Sequence, residues 1–144
     1  MVESVRYSIL ITDDDTGIRE ALAEICESQG FRPILAEHGE QAIDIVQHEP
    51  IHLALLDMNM PRMTGLELLQ IVRQIHALLP AILITADANM ELLRKAFEAQ
   101  VYSVVPKPFE PTIIKSTVFR ALAKVYGQPE EHDSNTNNKT EEKE

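Results

Sequence analysis

Ile51-His52-Leu53-Ala54-Leu55-Leu56-Asp57-Met58-Asn59-Met60-Pro61-Arg62-Met63-Thr64-Gly65 is the stretch that decides the fold. A short apolar run bounded by turn-forming residues predicts a strand buried on both faces, the kind found in parallel sheets covered by helices. Asp57 closes that strand, and open α/β sheets take their ligands beyond the carboxyl ends of their strands. Three other runs end in the same way: Ile9-Leu10-Ile11-Thr12 enters Asp13-Asp14-Asp15, Ile82-Leu83-Ile84 enters Thr85-Ala86, and Val104-Val105-Pro106 enters Lys107-Pro108-Phe109. Three acids, a hydroxyl and a lysine are thereby expected on one edge.

Strand and helix patterns alternate five times, which predicts an α/β doubly wound parallel sheet. Strands are expected near residues 7–12, 31–36, 51–57, 81–86 and 101–106, and helices near 16–29, 39–48, 64–77, 89–99 and 110–126. Apolar residues recur at helical spacing in Ile18, Ala21, Leu22 and Ile25, and again in Leu66, Leu69, Ile71, Val72 and Ile75. Gly30, Pro50 and Pro80 follow the first three helices as stop signals, because Gly relieves a left-handed cap and Pro cannot continue a helix. Asp15 or Thr16 is expected to cap the first helix.

The chain has 144 residues, enough for one domain with a proper core, and its 44% hydrophobic content is ordinary for a globular protein. We read residues 1–127 as that domain and 128–144 as an acidic disordered tail, where six acids stand against Lys139 and Lys143. No output domain follows in this reading. No apolar run reaches the ~20 residues that span a bilayer, and Met1-Val2-Glu3-Ser4-Val5-Arg6 lacks a signal-peptide pattern, so a cytoplasmic protein is expected. A formal charge of −10 argues against direct nucleic-acid binding. Cys26 is the only cysteine and falls on an apolar helix face, where it reads as a small hydrophobe. His38, His48, His52, His76 and His132 show no metal-ligand spacing and read as surface or loop residues.

Asp13, Asp14 and Asp57 crowded into one volume need a cation. A hard divalent ion meets that need, since Mg²⁺ takes one or two carboxylates together with waters and a phosphate oxygen. Lys107 could hold a second phosphate oxygen and the Thr85 hydroxyl a third. The set fits phosphoryl transfer onto the Asp57 carboxylate, giving an aspartyl-phosphate. Any one of these residues alone is commonplace; four strand ends carrying Asp-Asp, Asp, Thr and Lys-Pro in this order are not.

With ILITDDD at 9–15, LALLDMNMPRMTG at 53–65, ILITA at 82–86 and VPKPF at 105–109, the sequence resembles the receiver domains of two-component response regulators over residues 6–126, including the single-domain chemotaxis regulator. The resemblance implies a flavodoxin-like (βα)5 fold with strand order 2-1-3-4-5. It also implies direct Mg²⁺ (or Mn²⁺) ligation by Asp14, Asp57 and the Asn59 backbone carbonyl, with Asp13 acting through water. Asp57 is then the phosphoacceptor, Thr85 and Lys107 contact the phosphoryl group, and the Lys107-Pro108 peptide is cis. The implied function is that of a signalling protein rather than a separate enzyme, assisting only its own phosphorylation and dephosphorylation. Its implied partners are a sensor histidine kinase or histidine phosphotransfer protein, an unknown downstream protein, and a second copy through the face built from the fourth helix, fifth strand and fifth helix.

Two departures concern output. Val104 stands where the family usually has Tyr or Phe, and Gln100 where it often has Gly. Tyr102 is expected on the same strand face as Val104, one pleat away. Phosphorylation is expected to persist with weakened or rerouted threonine–aromatic coupling. Along the last helix Ile114, Val118, Ala121, Leu122 and Val125 read as the core stripe, leaving Phe119 and Tyr126 toward another side as a candidate contact surface.

A haloacid-dehalogenase-type phosphatase is the enzyme rival, because Asp13 and Asp15 imitate its first motif. Gly17 in place of Thr or Val, no late acidic pair after Lys107 and no room for a cap domain weigh against it. A receiver-like binding module that works without phosphate is a second rival, and a DNA-binding regulator cut before its output domain is a third.

Overall fold

The computed structural model describes residues 6–127; the expected tail at 128–144, with His132, lies outside the described residues. Strands and helices alternate as β1 (Ser8–Thr12), α1 (Thr16–Ser28), β2 (Arg32–Ala36), α2 (Gly39–His48), β3 (Leu53–Asp57), α3 (Gly65–Ile75), β4 (Ala81–Thr85), α4 (Met90–Glu98), β5 (Ser103–Pro106) and α5 (Pro111–Tyr126). All four strand pairings are parallel and the order is β2-β1-β3-β4-β5, the flavodoxin-like arrangement. β1, β3 and β4 are buried along their whole length, as continuous apolar runs require. Pro33 and Pro106 sit on the two edge strands, where a missing N–H costs no ladder bond to a further strand.

Strand alternation divides the core in two. Leu10, Ala54, Leu56, Ala81 and Leu83 pack beneath α2, α3 and α4. Ile9, Ile11, Leu53, Leu55, Ile82 and Ile84 pack beneath α1 and α5, with Cys26 fully buried among them. Burial pushes the Cys26 thiol up to about 12, which keeps it an inert apolar side chain. Because β1 connects to β2 on one side while β3 and β4 extend on the other, the loops after β1 and β3 part. That crevice is where the acids converge.

Asp15 is the cap of α1, accepting the Ile18 N–H at 3.0 Å, and Thr64 caps α3 in a reciprocal pair with Glu67. α1 ends on Gly30 at φ 85°, with Phe31 N–H bonded to Cys26 O and Gly30 N–H to Glu27 O. α4 ends in the same way, yet its left-handed position is Gln100 at φ 59°, with Val101 N–H on Ala96 O and Gln100 N–H on Phe97 O. The loop thus keeps the shape a glycine would give it. The Arg73 guanidinium holds the turn by donating to the carbonyls of Leu79, Ala99 and Gln100.

Several expectations are corrected. Val125 is exposed and Thr117 takes its place in the buried stripe of α5. Tyr126 is half-buried, stacked on Tyr7 and donating its hydroxyl to His52 O at 2.8 Å, and Phe119 is half-buried as well. Ile71 and Ile75 are exposed on α3, while Leu68 is buried. Tyr102 does not share a face with Val104: it precedes the first residue of β5, so strand alternation does not reach it, and it packs with the α1/α5 core while Val104 packs with the other. His52 lies in the loop before β3, as expected, but half-buried: its Nδ1 accepts the Ser8 N–H at 2.9 Å among Tyr7 and Tyr126. His38 and His76 also have structural tasks, capping α2 and bonding Ile51 O.

Candidate phosphoryl-transfer site

Parallel pairing in register sets the site. Asp57 lies opposite Ile84, so Thr85 is the next residue of the neighbouring strand, and Thr85 lies opposite Pro106, with Lys107 following. Lys107 N–H donates to Thr85 O at 2.7 Å and Met58 N–H to Ile84 O at 2.9 Å, which carries the sheet bonding one step into the loops. The Lys107-Pro108 peptide is cis. Gly65 lets α3 start against the end of β3: a Cβ there would lie 2.6 Å from Asp57 O.

One oxygen from each of Asp13, Asp14 and Asp57 lies within 4.8 Å of the others. Asp13 and Asp57 are buried, at 1% and 3% exposure, and Asp14 is exposed. Lys107 Nζ stands 3.2 Å from Asp57 Oδ1 and 3.3 Å from Asp13 Oδ2. Asp13 and Asp57 therefore share one lysine, and Asp14 has no ion pair among the described residues. Burial, with the Asp13 charge, pushes the Asp57 carboxyl up to about 6, against the Asn59 amide and Lys107, which pull it down. Burial opposes the Lys107 charge, but Asp57 and Asp13 outweigh it and hold its ammonium above the usual lysine range.

Both hydrogen bonds to Asp57, from Asn59 N–H at 3.1 Å and from Lys107, fall on Oδ1. Asp13 Oδ1 accepts the Asp15 N–H at 2.9 Å, whereas buried Asp13 Oδ2 has no hydrogen-bond donor, Lys107 reaching it as an ion pair only. A buried acceptor without a donor beside two more carboxylates is a donor set suited to a hard divalent cation. The Asn59 backbone is held beside Asp57 by its N–H bond. Thr85 is buried at the rim, its hydroxyl 3.3 Å from Asn59 Oδ1 and accepting the Asp87 N–H at 3.1 Å. All the sequence-predicted site residues thus meet on one edge. Asp15 Oδ1 is engaged in capping α1, which weighs against Asp15 as the second acid the phosphatase reading needs.

The sequence reading missed Arg19. It is 8% exposed, and Nη1 donates to Asp13 O at 2.6 Å while Nη2 donates to Thr16 Oγ1 at 3.3 Å and lies 3.9 Å from Glu37. The available signal was its place three residues before Leu22 and seven before Cys26, a charge on the apolar face of α1.

Comparison with known proteins agrees with this geometry. The response regulator receiver domain model matches residues 9–119. Sporulation initiation phosphotransferase F of Bacillus subtilis is 35% identical over 114 residues, 79% of this chain and 92% of that protein. The transcriptional regulatory protein CpxR of Escherichia coli is 35% identical over 130 residues, 90% of this chain but 54% of that protein. Among solved structures, the CheY-like receiver domain protein of Methanospirillum hungatei superposes with a TM-score of 0.79 at 27% identity, covering 83% of this chain and 96% of that one. The family match over most of the described fold and the acids, threonine and lysine at its strand ends have one reading: this chain belongs to the response regulator receiver domain family of two-component systems.

Proposed function

We propose that the chain is a response regulator receiver whose Asp57 accepts a phosphoryl group from a sensor histidine kinase or histidine phosphotransfer protein. The phosphorylated form signals through changed protein–protein contacts. The observation that carries this reading is the set of three carboxylate oxygens within 4.8 Å of one another, with one lysine 3.2 Å from Asp57. Residues 6–127 form the receiver, and the protein is cytoplasmic.

An Asp57 oxygen attacks phosphorus in line as the phosphorus–nitrogen bond of the donor phosphohistidine breaks, and the imidazole leaves with the electron pair and takes a proton. Oδ1 is already fastened by Asn59 N–H and Lys107. Among the described residues no hydrogen bond engages Oδ2, so that oxygen is open to phosphorus. Lys107 neutralises charge on a phosphoryl oxygen, and Thr85 exchanges its Asn59 contact for another. Asp14, Asp57 and the Asn59 backbone carbonyl would hold Mg²⁺ or Mn²⁺ directly, with Asp13 acting through water. The ion would supply positive charge for the carboxylates and the transferring oxygens.

Output falls to α4 and its neighbours. α4 turns Met90, Leu93 and Phe97 outward at 79%, 40% and 83% exposure, three apolar side chains at i, i+3 and i+7. This stripe, rather than Phe119 and Tyr126, is the candidate face for a downstream protein or a second copy.

The test is labelling by a small phosphoryl donor such as phosphoramidate, with Mg²⁺ and with EDTA. Wild type is expected to form acylphosphate only with the metal, and Asp57→Ala to form none. Labelling retained in Asp57→Ala but lost in Asp13→Ala would give the phosphatase reading precedence. No labelling of the folded wild type would favour the phosphate-independent module.

A further inference from the structure

Arg19 has no place in the chemistry above, yet it is the buried cation nearest the acidic loop. A guanidinium is costly to bury, and a side chain of similar length without charge would pack there more cheaply unless the charge performs a task. Among the described residues its only carboxylate neighbour is exposed Glu37 at 3.9 Å, too far for a strong pair. The close partners are the Asp13 carbonyl, at 2.6 Å, and the Thr16 hydroxyl.

The Asp13 carbonyl belongs to the peptide that leads into Asp14. Asp13 is fastened at its N–H by Ala36 O, at 3.2 Å, and at Oδ1 by the Asp15 N–H. Without Arg19 the carbonyl would be the loose end of this unit. Asp14 is exposed, and among the described residues no hydrogen bond engages its side chain. The direction in which it enters the site therefore depends on the plane of the Asp13–Asp14 peptide. Arg19 fixes that plane from behind, out of reach of solvent.

We propose that Arg19 is a positioning residue for divalent-cation binding: it pins the Asp13–Asp14 peptide so that both carboxylates face Asp57. This rests on the reading of the acidic edge as a cation site. A charged donor on a buried carbonyl is among the stronger hydrogen bonds. Its loss frees a peptide that carries one metal-facing side chain at each end.

The experiment is Mg²⁺ titration of the full chain, followed by the amide NMR shifts of Asp14, Asp57 and Asn59, for wild type, Arg19→Met, Arg19→Lys and Leu22→Val. Leu22 is buried on the same helix among the α1/α5 core residues and serves as a control for destabilisation alone. Arg19→Met is expected to weaken Mg²⁺ binding at least fivefold at a temperature where it is fully folded. Arg19→Lys should fall between, since one ammonium replaces a fork, and Leu22→Val should lower the melting temperature with binding within twofold of wild type. Should Arg19→Met not fold, Arg19→Lys decides by the same comparison with wild type. Binding within twofold of wild type in the Arg19 variants, or an equal loss in Leu22→Val, overturns the inference and leaves the site reading standing. A folded wild type that shows no Mg²⁺-dependent shifts overturns both.

Discussion

Asp57 is held where its charge costs stability, so Asp57→Asn is expected to make the metal-free protein more stable. The carboxyl rises from an ordinary 3.8 to about 6 on folding, because burial and the Asp13 charge outweigh the Asn59 amide and Lys107. That rise corresponds to ~3 kcal/mol lost from folding once the group is ionised. The sign follows from proton binding. Below pH 3.8 both states hold the proton and no cost arises; from there to about 6 the unfolded chain releases it first, and stability falls; above about 6 the whole cost is present. Asparagine has nearly the same shape without the charge. The attraction of Lys107 is already counted in that rise, and Lys107 keeps Asp13 at 3.3 Å; the gain is reduced by water that reaches the site beside exposed Asp14 and screens the charges. A net gain of about 1–2 kcal/mol remains above pH 7, several degrees in melting temperature for a domain of this size. The assay is urea unfolding by circular dichroism at pH 4, 5, 6 and 8 in EDTA, with a parallel series in Mg²⁺. In EDTA the variants should converge toward pH 4 and separate toward pH 8, with asparagine the more stable. Mg²⁺ should narrow or reverse the gap, because an ion that binds the folded carboxylates stabilises wild type more. Asparagine no more stable than wild type at pH 8 in EDTA, or a gap independent of pH, would refute the electrostatic argument.

Gln100→Gly should stabilise the protein by about 0.5–1 kcal/mol in thermal unfolding, since a left-handed non-glycine residue costs ~1–2 kcal/mol and glycine's freer unfolded chain returns part of it. Gly30→Ala, at φ 85° in the equivalent cap of α1, should move stability by about 1 kcal/mol in the opposite direction. Gly65→Ala would place a methyl 2.6 Å from the Asp57 carbonyl, so it should both destabilise by a few kcal/mol and depress acylphosphate formation more than Gly30→Ala does at matched stability. Phe97→Asp, on the exposed stripe of α4, should leave acylphosphate formation within twofold of wild type while abolishing any phosphorylation-dependent increase in size seen by light scattering.

The fold was legible because its strands are short, apolar and punctuated. Where a run such as Leu53–Asp57 is buried on both faces, composition alone marks it, and Gly30, Pro50 and Pro80 fall where helices must stop. The site was legible for the same reason, since each of its residues occupies a fixed offset from the end of such a run. What escaped depends on contacts between distant segments. Nothing local distinguishes His52 from a surface histidine until Ser8 N–H arrives from 44 residues away. Tyr126 turned partly inward for a similar reason: its hydroxyl finds His52 O, while neighbouring Val125 is left exposed. Arg19 was passed over because charge on a helix is usually solvated, and only its acceptors show otherwise.

Val104 can be placed in the same terms. A switch that draws an aromatic ring inward needs a ring on the sheet face beneath α4, and this chain has a valine there, packed against the α2–α4 core. Tyr102 cannot take over, because it lies in the other core with Lys124 Nζ 5.9 Å from its ring centre. Movement of the Thr85 hydroxyl must then be felt through what it touches now. Its partners are Asn59 Oδ1 and the backbone of Asp87, and Asp87 Oδ2 accepts from Asn89, the cap of α4. At the opposite end of α4, Arg73 ties the Ala99 and Gln100 carbonyls to α3. A helix pinned at its carboxyl end and attached through Asn89 and Asp87 to Thr85 at its amino end can swing without any ring moving. That swing would carry Met90 furthest, the residue at the free end of the exposed apolar stripe.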